Sequence, residues 1–388
     1  MVLYFKRFQN LWHKITSLTV ILFFIVSSCY PQKKFYVKDF GAVADQKFDN
    51  TTAINNCFKE AMKFDNSVVI FDKGIYLLEG RINVEVVGNV RILIKGLGIE
   101  TTLNFVNKDA DKGFYIKGKS SNVSLGTVAI QDLVIKGPNS EVGIKNPFFD
   151  SARHMYGIGV SNIQNFEAER ITVMDFYGNG IDISNKTEVR ERMEKSFHNV
   201  KIKNCKILDN WGKSPTDSYG DGIYISDCIK FEIANNIIIN RIENTGWLGR
   251  AGIVIEDFTK NGTVNGNHIS GYFKGVHIEN SLGDIKIKKN TLSDNKIGVY
   301  LWSQGRVHEK NIVIDSNRFY QNTIFDYSSQ MNLNEDEFAF IVVLREKKLK
   351  EIDIITNNKF LFNKSIKDKN SAIKGNVNLE IKTNLFEN

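Results

Sequence analysis

The residues best suited to move protons and hold charge stand at fixed offsets from a recurring glycine. Asp182, Tyr224, His277 and Tyr300 each lie two positions after Gly180, Gly222, Gly275 and Gly298, while Asp221 and Lys274 immediately precede a glycine and Arg250 stands two before Gly252. Asp182 and Asp221 are a pair of carboxylates of the kind that shares acid and base work, and the same two are the candidate ligands for Ca²⁺. Arg250 and His277 complete the candidate catalytic set as a cation that offsets negative charge and a group that takes a proton. Tyr224, Lys274 and Tyr300 are candidate substrate contacts beside them. Each also has a plainer role: Asp221 between two glycines suits a turn, His277 suits an ordinary strand, and Arg250 suits a pair with Glu243 or Asp217. Chemistry is expected to centre on Asp221, with Asp221→Asn costing activity and leaving the melting temperature unchanged.

The offsets place these residues on strands. The phrases Gly157-Ile158-Gly159-Val160, Gly180-Ile181-Asp182-Ile183, Gly222-Ile223-Tyr224-Ile225, Gly252-Ile253-Val254-Ile255, Gly275-Val276-His277-Ile278 and Gly298-Val299-Tyr300-Leu301 alternate with period two. Their aliphatics point to one face, and Asp182, Tyr224, Val254, His277 and Tyr300 to the other. From Gly252 to Gly275 to Gly298 the step is 23 residues each time, the length of one coil of a parallel β-helix. An asparagine slot follows an aliphatic pair on successive coils, at Asn236, Asn267, Asn290, Asn317, Asn358 and Asn384, with Cys205 in the same place one coil earlier. Stacked in register, these amides would bond one another and the bend backbone, which a tight inward turn otherwise buries unpaired. The fold class expected is all-β: a single-stranded, right-handed parallel β-helix with a short N-terminal cap helix.

Measured against that coil, extra residues fall before the same strand ladder near 137–156, 208–219 and 240–250. These stretches carry Arg153, His154, Trp211, Lys213, Asp217, Tyr219, Arg241, Glu243, Trp247 and Arg250, a mixture of aromatic and charged residues unlike a bare turn. They are expected to wall a sugar cleft, with Trp211, Trp247 and Arg153 as substrate contacts; the alternative packs the two tryptophans back on the coil edge. Lys186 to Lys195 reads as a solvated charged excursion.

Composition narrows the setting. Lys6, Arg7 and Lys14 precede an apolar run from Leu18 to Val26 that ends at Ser27-Ser28-Cys29. That arrangement resembles a bacterial lipoprotein signal, which implies removal of residues 1–28, lipidation of Cys29, a tether over 29–34 and one β-helix domain over 35–388. The expected location is the bacterial cell envelope, with the lipid as the sole membrane attachment. Loss of 1–28 lowers the formal charge from +7 to +4, too mild for a nucleic-acid partner and compatible with an acidic polysaccharide. Cys57, Cys205 and Cys228 read as buried thiols rather than a disulfide framework. The histidines include no His-x-x-x-His pair, which argues against zinc.

Val37-Lys38-Asp39-Phe40-Gly41-Ala42, a polar turn, and Asp49-Asn50-Thr51-Thr52-Ala53-Ile54 open the chain. After Thr51 or Thr52 as N-cap, Ile54, Cys57, Phe58, Ala61 and Met62 make one apolar stripe, as in a helix lying over the raw end of a first coil. This opening resembles that of the pectate-lyase superfamily, which includes polygalacturonases, rhamnogalacturonases and epimerase-like β-helix proteins; their usual Asp-Gly is Asp45-Gln46 here. The resemblance implies the same fold and action on a polysaccharide. At the positions of the polygalacturonase acidic motifs this chain reads Gly178-Asn179-Gly180-Ile181, Gly220-Asp221-Gly222-Ile223, Arg250-Ala251-Gly252-Ile253 and His277-Ile278-Glu279, so only Asp221 keeps an acidic residue. Cleavage of a uronate-containing glycan then has two routes. Hydrolysis uses Asp182 and Asp221, at a separation of roughly 5 Å for retention or 6.5–9.5 Å for inversion. Elimination uses a cation or Ca²⁺ on the uronate carboxylate and a base from among Arg250, His277, Lys274 and Tyr224. The reading from a different class is a non-catalytic glycan-binding or surface-structural protein.

Overall fold

The computed structural model describes residues 32–107, 111–119, 124–139, 155–185, 196–212, 220–241, 248–303, 311–320, 339–344, 353–361, 372–375 and 379–387. Their strands form three long parallel sheets, two of 12 strands and one of 10, and beyond the first coil each sheet takes every third strand along the chain. This is the right-handed parallel β-helix that the 23-residue step implies. The core runs the length of the solenoid as one continuous apolar cluster, with Ile181, Ile223, Ile253, Val276 and Val299 of the glycine phrases all inside it.

The asparagine slot forms a ladder. Asn236, Asn267, Asn290 and Asn317 each donate their side-chain amide both to the next asparagine's Oδ1 and to a backbone carbonyl of the preceding coil, at 2.9 Å throughout or 3.0 Å where Asn317 meets Asn358. Cys205 joins through its backbone N–H, 2.9 Å from Asn236 Oδ1. The residue before each slot turns the bend in the left-handed region: Asn204, Asn235, Gly266, Lys289, Ser316, Asn357 and Thr383 all have positive φ. A second ladder, not anticipated from the sequence, satisfies the opposite bend, where Asn240 accepts from the Asn210 N–H and donates to its carbonyl.

At the N-terminal end a helix over Thr51–Ala61 buries Ala53, Ile54, Cys57, Phe58 and Ala61 against the first coil. Its N-cap is Asn50 rather than Thr51 or Thr52. The side chain of Asn50 is occupied with Val43 and Phe48, and Asp49 Oδ1 instead accepts from the Thr51 N–H at 3.0 Å and its hydroxyl at 2.6 Å. Gln46, in place of the usual glycine, has φ 64°, which explains why glycine suits that turn. Cys57, Cys205 and Cys228 are free and buried. No helix among the described residues is long and apolar enough to cross a membrane. The expected signal segment and Cys29, the excursion at 186–195, and most of the three insertions lie outside the described residues, including Arg153 and Trp247.

Candidate functional site

The ten-stranded third sheet carries the candidate residues on its outer face in three in-register rows. The middle row runs Gly159, Asp182, Tyr224, Val254, His277, Tyr300, as the alternation requires. A second row, nearer the glycine bend, holds Asp221, Ala251, Lys274 and Ile297. A third holds Ser226, Glu256, Glu279 and Trp302. Outward does not mean exposed on this face: Asp182, Val254 and His277 are buried.

Asp221 is fully buried, and Arg250 Nη1 clasps both of its carboxylate oxygens at 2.8 and 2.6 Å. Burial pushes its carboxyl up to about 6 even with Arg250 acting against the shift. Asp221 therefore has no oxygen turned to a substrate; it anchors Arg250, and the alternative pairs of Arg250 with Glu243 or Asp217 lie outside the described residues. Asn179 ties this pair to Asp182: its Oδ1 accepts from the Gly220 and Asp221 N–H groups, and its amide donates to Asp182 Oδ2 at 2.8 Å. The Ser184 hydroxyl donates to the other Asp182 oxygen at 2.7 Å. With both oxygens engaged and the side chain buried, Asp182 shares the supporting role of Asp221, and the pair does not present open ligands for Ca²⁺.

Half-buried polar side chains occur on all three rows: Lys274 nearest the bend, Tyr224 in the middle, and Glu256 and Glu279 beyond it. The Tyr224 hydroxyl donates to Glu256 Oε2 at 2.7 Å. Glu279 sits in register with Glu256, and burial, followed by the Glu256 charge, lifts its carboxyl to about 7. Glu256 is raised as well, first by burial. Lys274 lies 4.5 Å from the Tyr300 ring centre, and burial, then Arg250, brings its ammonium down to about 8. His277 packs edge-on against Tyr300 at 5.2 Å and is held neutral by burial and the nearby Lys274 and Arg250 charges.

Glu256 and Glu279 were missed in the sequence, although each stands four residues after its glycine, two past the middle row and so on the same face. Trp302 occupies the equivalent position next to Glu279 and is half-buried. Trp211, expected to contact substrate, is only 2 % exposed and bridges to Tyr177; its ring packs on the coil edge and has no face for a sugar. Arg241 is likewise tied back, to Asp209. Toward the N-terminal coils the face continues as a small cavity of about 80 Å³ lined by Lys112, Tyr115, Tyr156, Asp182 and Ser184. A larger one of about 480 Å³ lies beside the cap helix, lined by Phe58, Lys59, Met62 and Lys63 among others. It lacks a converging set of buried acids and bases, so the chemistry singles out the third sheet.

The family described as periplasmic copper-binding protein (NosD) matches residues 138–361, more than half of the chain and the whole of this stretch of the face. The chain belongs to that family. An uncharacterized protein of Bacillus subtilis strain 168, YclG, is 23% identical over 257 residues, covering 60% of this chain and 41% of YclG; the chain thus spans less than half of that relative's length. Among solved structures, the A-module of the mannuronan C-5 epimerase AlgE4 of Azotobacter vinelandii aligns over 91% of this chain and 97% of its own, at 14% identity and a TM-score of 0.54. The enzymatically active domain of bacteriophage CBA120 tailspike protein 2 aligns over 91% and 46%, at 14% identity and a TM-score of 0.56. At these identities the likeness is one of fold, and it places the NosD-family chain among right-handed β-helices.

Proposed function

We propose that the chain is an envelope enzyme that acts on an acidic, uronate-containing polysaccharide laid along the outer face of the third sheet, by β-elimination. The observation that carries this reading is the convergence of Lys274, Tyr224, His277, Glu256 and Glu279 on three in-register rows of one face. Lys274, with its ammonium brought down to about 8, is suited to take the proton beside the uronate carboxylate, since a base works best when its pKa lies near the working pH. The Tyr224 hydroxyl is held protonated by burial and the Glu256 charge and is spent on Glu256 Oε2, so it orients that carboxylate, while Glu279, lifted to about 7, is suited to donate a proton to the departing glycosidic oxygen. In that step a C–H bond and a C–O bond of the substrate break, a C=C bond forms, Lys274 gains the proton that the substrate ring loses, and the departing oxygen gains one from Glu279. Tyr300, Trp302 and the cavity lined by Tyr115 and Tyr156 offer aromatic surface along the strand ladder for neighbouring sugars.

The family description names copper. The thiols suit it poorly: burial pushes Cys57, Cys205 and Cys228 up to about 12, which keeps them protonated in the core. The donors that fit a metal are Glu256, His277 and Glu279, and an ion held there would supply positive charge beside a bound uronate. The family description and the lipoprotein-like start of the sequence both support a location in the cell envelope, with Cys29 as the anchor.

A second reading rests on Glu256 and Glu279, in register on adjacent coils with an oxygen of each no more than 4.8 Å apart, a pair that could serve as the two carboxylates of a retaining glycosidase. Incubation with polyuronates separates the readings. Elimination yields an unsaturated product that absorbs in the ultraviolet, whereas hydrolysis yields reducing ends without that absorbance. Retention of the glycan with neither product would return the chain to the binding class.

A further inference from the structure

We propose that Glu256, His277 and Glu279 form a site for one divalent transition-metal ion on the outer face of the third sheet. The inference starts from His277. Its side chain is 1 % exposed, and neither ring nitrogen has a hydrogen-bond partner. Glu279 Oε2 stands 3.5 Å from Nε2, beyond the length of a proper hydrogen bond. An imidazole buried without a partner forfeits the hydration it had in the unfolded chain, a cost that folded proteins rarely leave uncompensated.

What surrounds the ring supplies the compensation. One donor atom each from Glu256, His277 and Glu279 lies within 4.8 Å of the other two. Ligands bound at about 2.0–2.2 Å to a common ion are roughly 3–4 Å apart, so closing on an ion needs only small side-chain movements. The charge balance favours a cation: with Arg250 and Asp221 neutralising each other, Asp182, Glu256 and Glu279 on these rows outnumber Lys274. Outer partners hold the ligands in place, since the Tyr224 hydroxyl fixes Glu256 at 2.7 Å and Tyr300 packs edge-on against the imidazole. Such outer contacts are typical of metal sites and set ligand orientation.

The donor set also selects the ion. Two carboxylates and one imidazole suit Cu(II) or Zn(II), whereas Cu(I) prefers thiolate and thioether sulfur, which none of the three ligands offers. Three protein ligands leave positions open for water or a substrate oxygen.

The experiment titrates the metal-free full chain with Cu(II), Zn(II) and, under reductant, Cu(I) by calorimetry, and records the electron paramagnetic resonance spectrum of the Cu(II) form. One tight equivalent of a divalent ion is expected, with hyperfine structure from a single nitrogen and much weaker binding of Cu(I). His277→Ala and Glu256→Gln are expected to weaken the divalent ion at least about a hundredfold, while His198→Ala, at an exposed bend just before the strand Asn199–Lys203 on another sheet, changes nothing. Circular dichroism of each variant checks that the solenoid is retained, and Glu256→Gln keeps the test open if His277→Ala unfolds. No divalent binding, unchanged affinity in a folded variant, or tighter binding of Cu(I) would overturn the proposal. No glycan is present, so failure here leaves the substrate reading standing, and the reverse holds too.

Discussion

On the outer face of the first sheet Lys201 meets Glu167 at 2.7 Å and Lys203 meets Glu232 at 2.6 Å, with all four side chains a third or more exposed. On the outer face of the third sheet the same parallel ladder carries Asp221, fully buried under Arg250, and His277, buried against Tyr300. The backbone is equivalent in the two places, and the alternation that turns a side chain outward is the same. The difference lies in solvent. Exposed pairs like those of the first sheet contribute roughly 0–1 kcal/mol, because water screens the attraction and two long side chains lose freedom. Buried acids and bases cannot be left to water, so each must find a partner or change its protonation preference. A face that gathers several such groups incurs a cost in stability, and that cost is the observation on which the proposed working surface rests.

The largest effect expected from this contrast is on stability. Asp221→Asn leaves the buried Arg250 guanidinium without its counter-charge and should cost about 3 kcal/mol, read as a lower denaturant midpoint. This replaces the expectation of an unchanged melting temperature, which held only for an exposed Asp221. Asn267→Ala should follow at about 2 kcal/mol, since it removes the bonds to Ile233 and Asn290 and leaves buried backbone groups unpaired. It tests whether the bends, rather than the outer faces, carry the fold.

A smaller effect concerns pH. Lys274 must be neutral to take a proton, and with its ammonium brought down to about 8 the neutral fraction grows as pH rises through that value. Glu279 must be protonated to give one, and with its carboxyl lifted to about 7 that fraction shrinks over the same range. Elimination should therefore peak at about pH 7.5 and fall about fivefold from pH 7 to 6 and from pH 8 to 9. A rate that does not fall below pH 7 would remove Lys274 as the base. Smallest of all, Glu167→Gln on the first sheet should change the unfolding free energy by under about 0.5 kcal/mol, and a larger loss would erase the contrast between the two faces.

Much of this could be read from the chain because a solenoid repeats its own logic. The glycine phrase and the asparagine slot are periodic, so the coil, the inner ladder and the middle outward row of Asp182, Tyr224, His277 and Tyr300 follow from spacing alone. What spacing cannot convey is which outward residues lose contact with water. Asp221 looked like an open carboxylate because its partner Arg250 is 29 residues away and reaches it only once two coils stack. Glu256 and Glu279 were legible in principle, since the same alternation continued by one more step puts them on the face. The second asparagine ladder escaped because variable insertions separate Asn210 and Asn240 from the strands that follow them, which hides their period. Trp211 was ambiguous by nature: an aromatic residue at a loop edge serves a cleft or a core equally well until packing decides.

The claim that the outer face of the third sheet is the working surface is tested most directly by one set of rates. Wild-type protein, Lys274→Ala and Lys201→Ala are given the same polyuronate and followed by the absorbance of the unsaturated product. The expected result is a loss of at least about a hundredfold in Lys274→Ala, with its fold intact by circular dichroism, and an unchanged rate in Lys201→Ala. Equal rates in all three, or a loss confined to Lys201→Ala, would contradict the account.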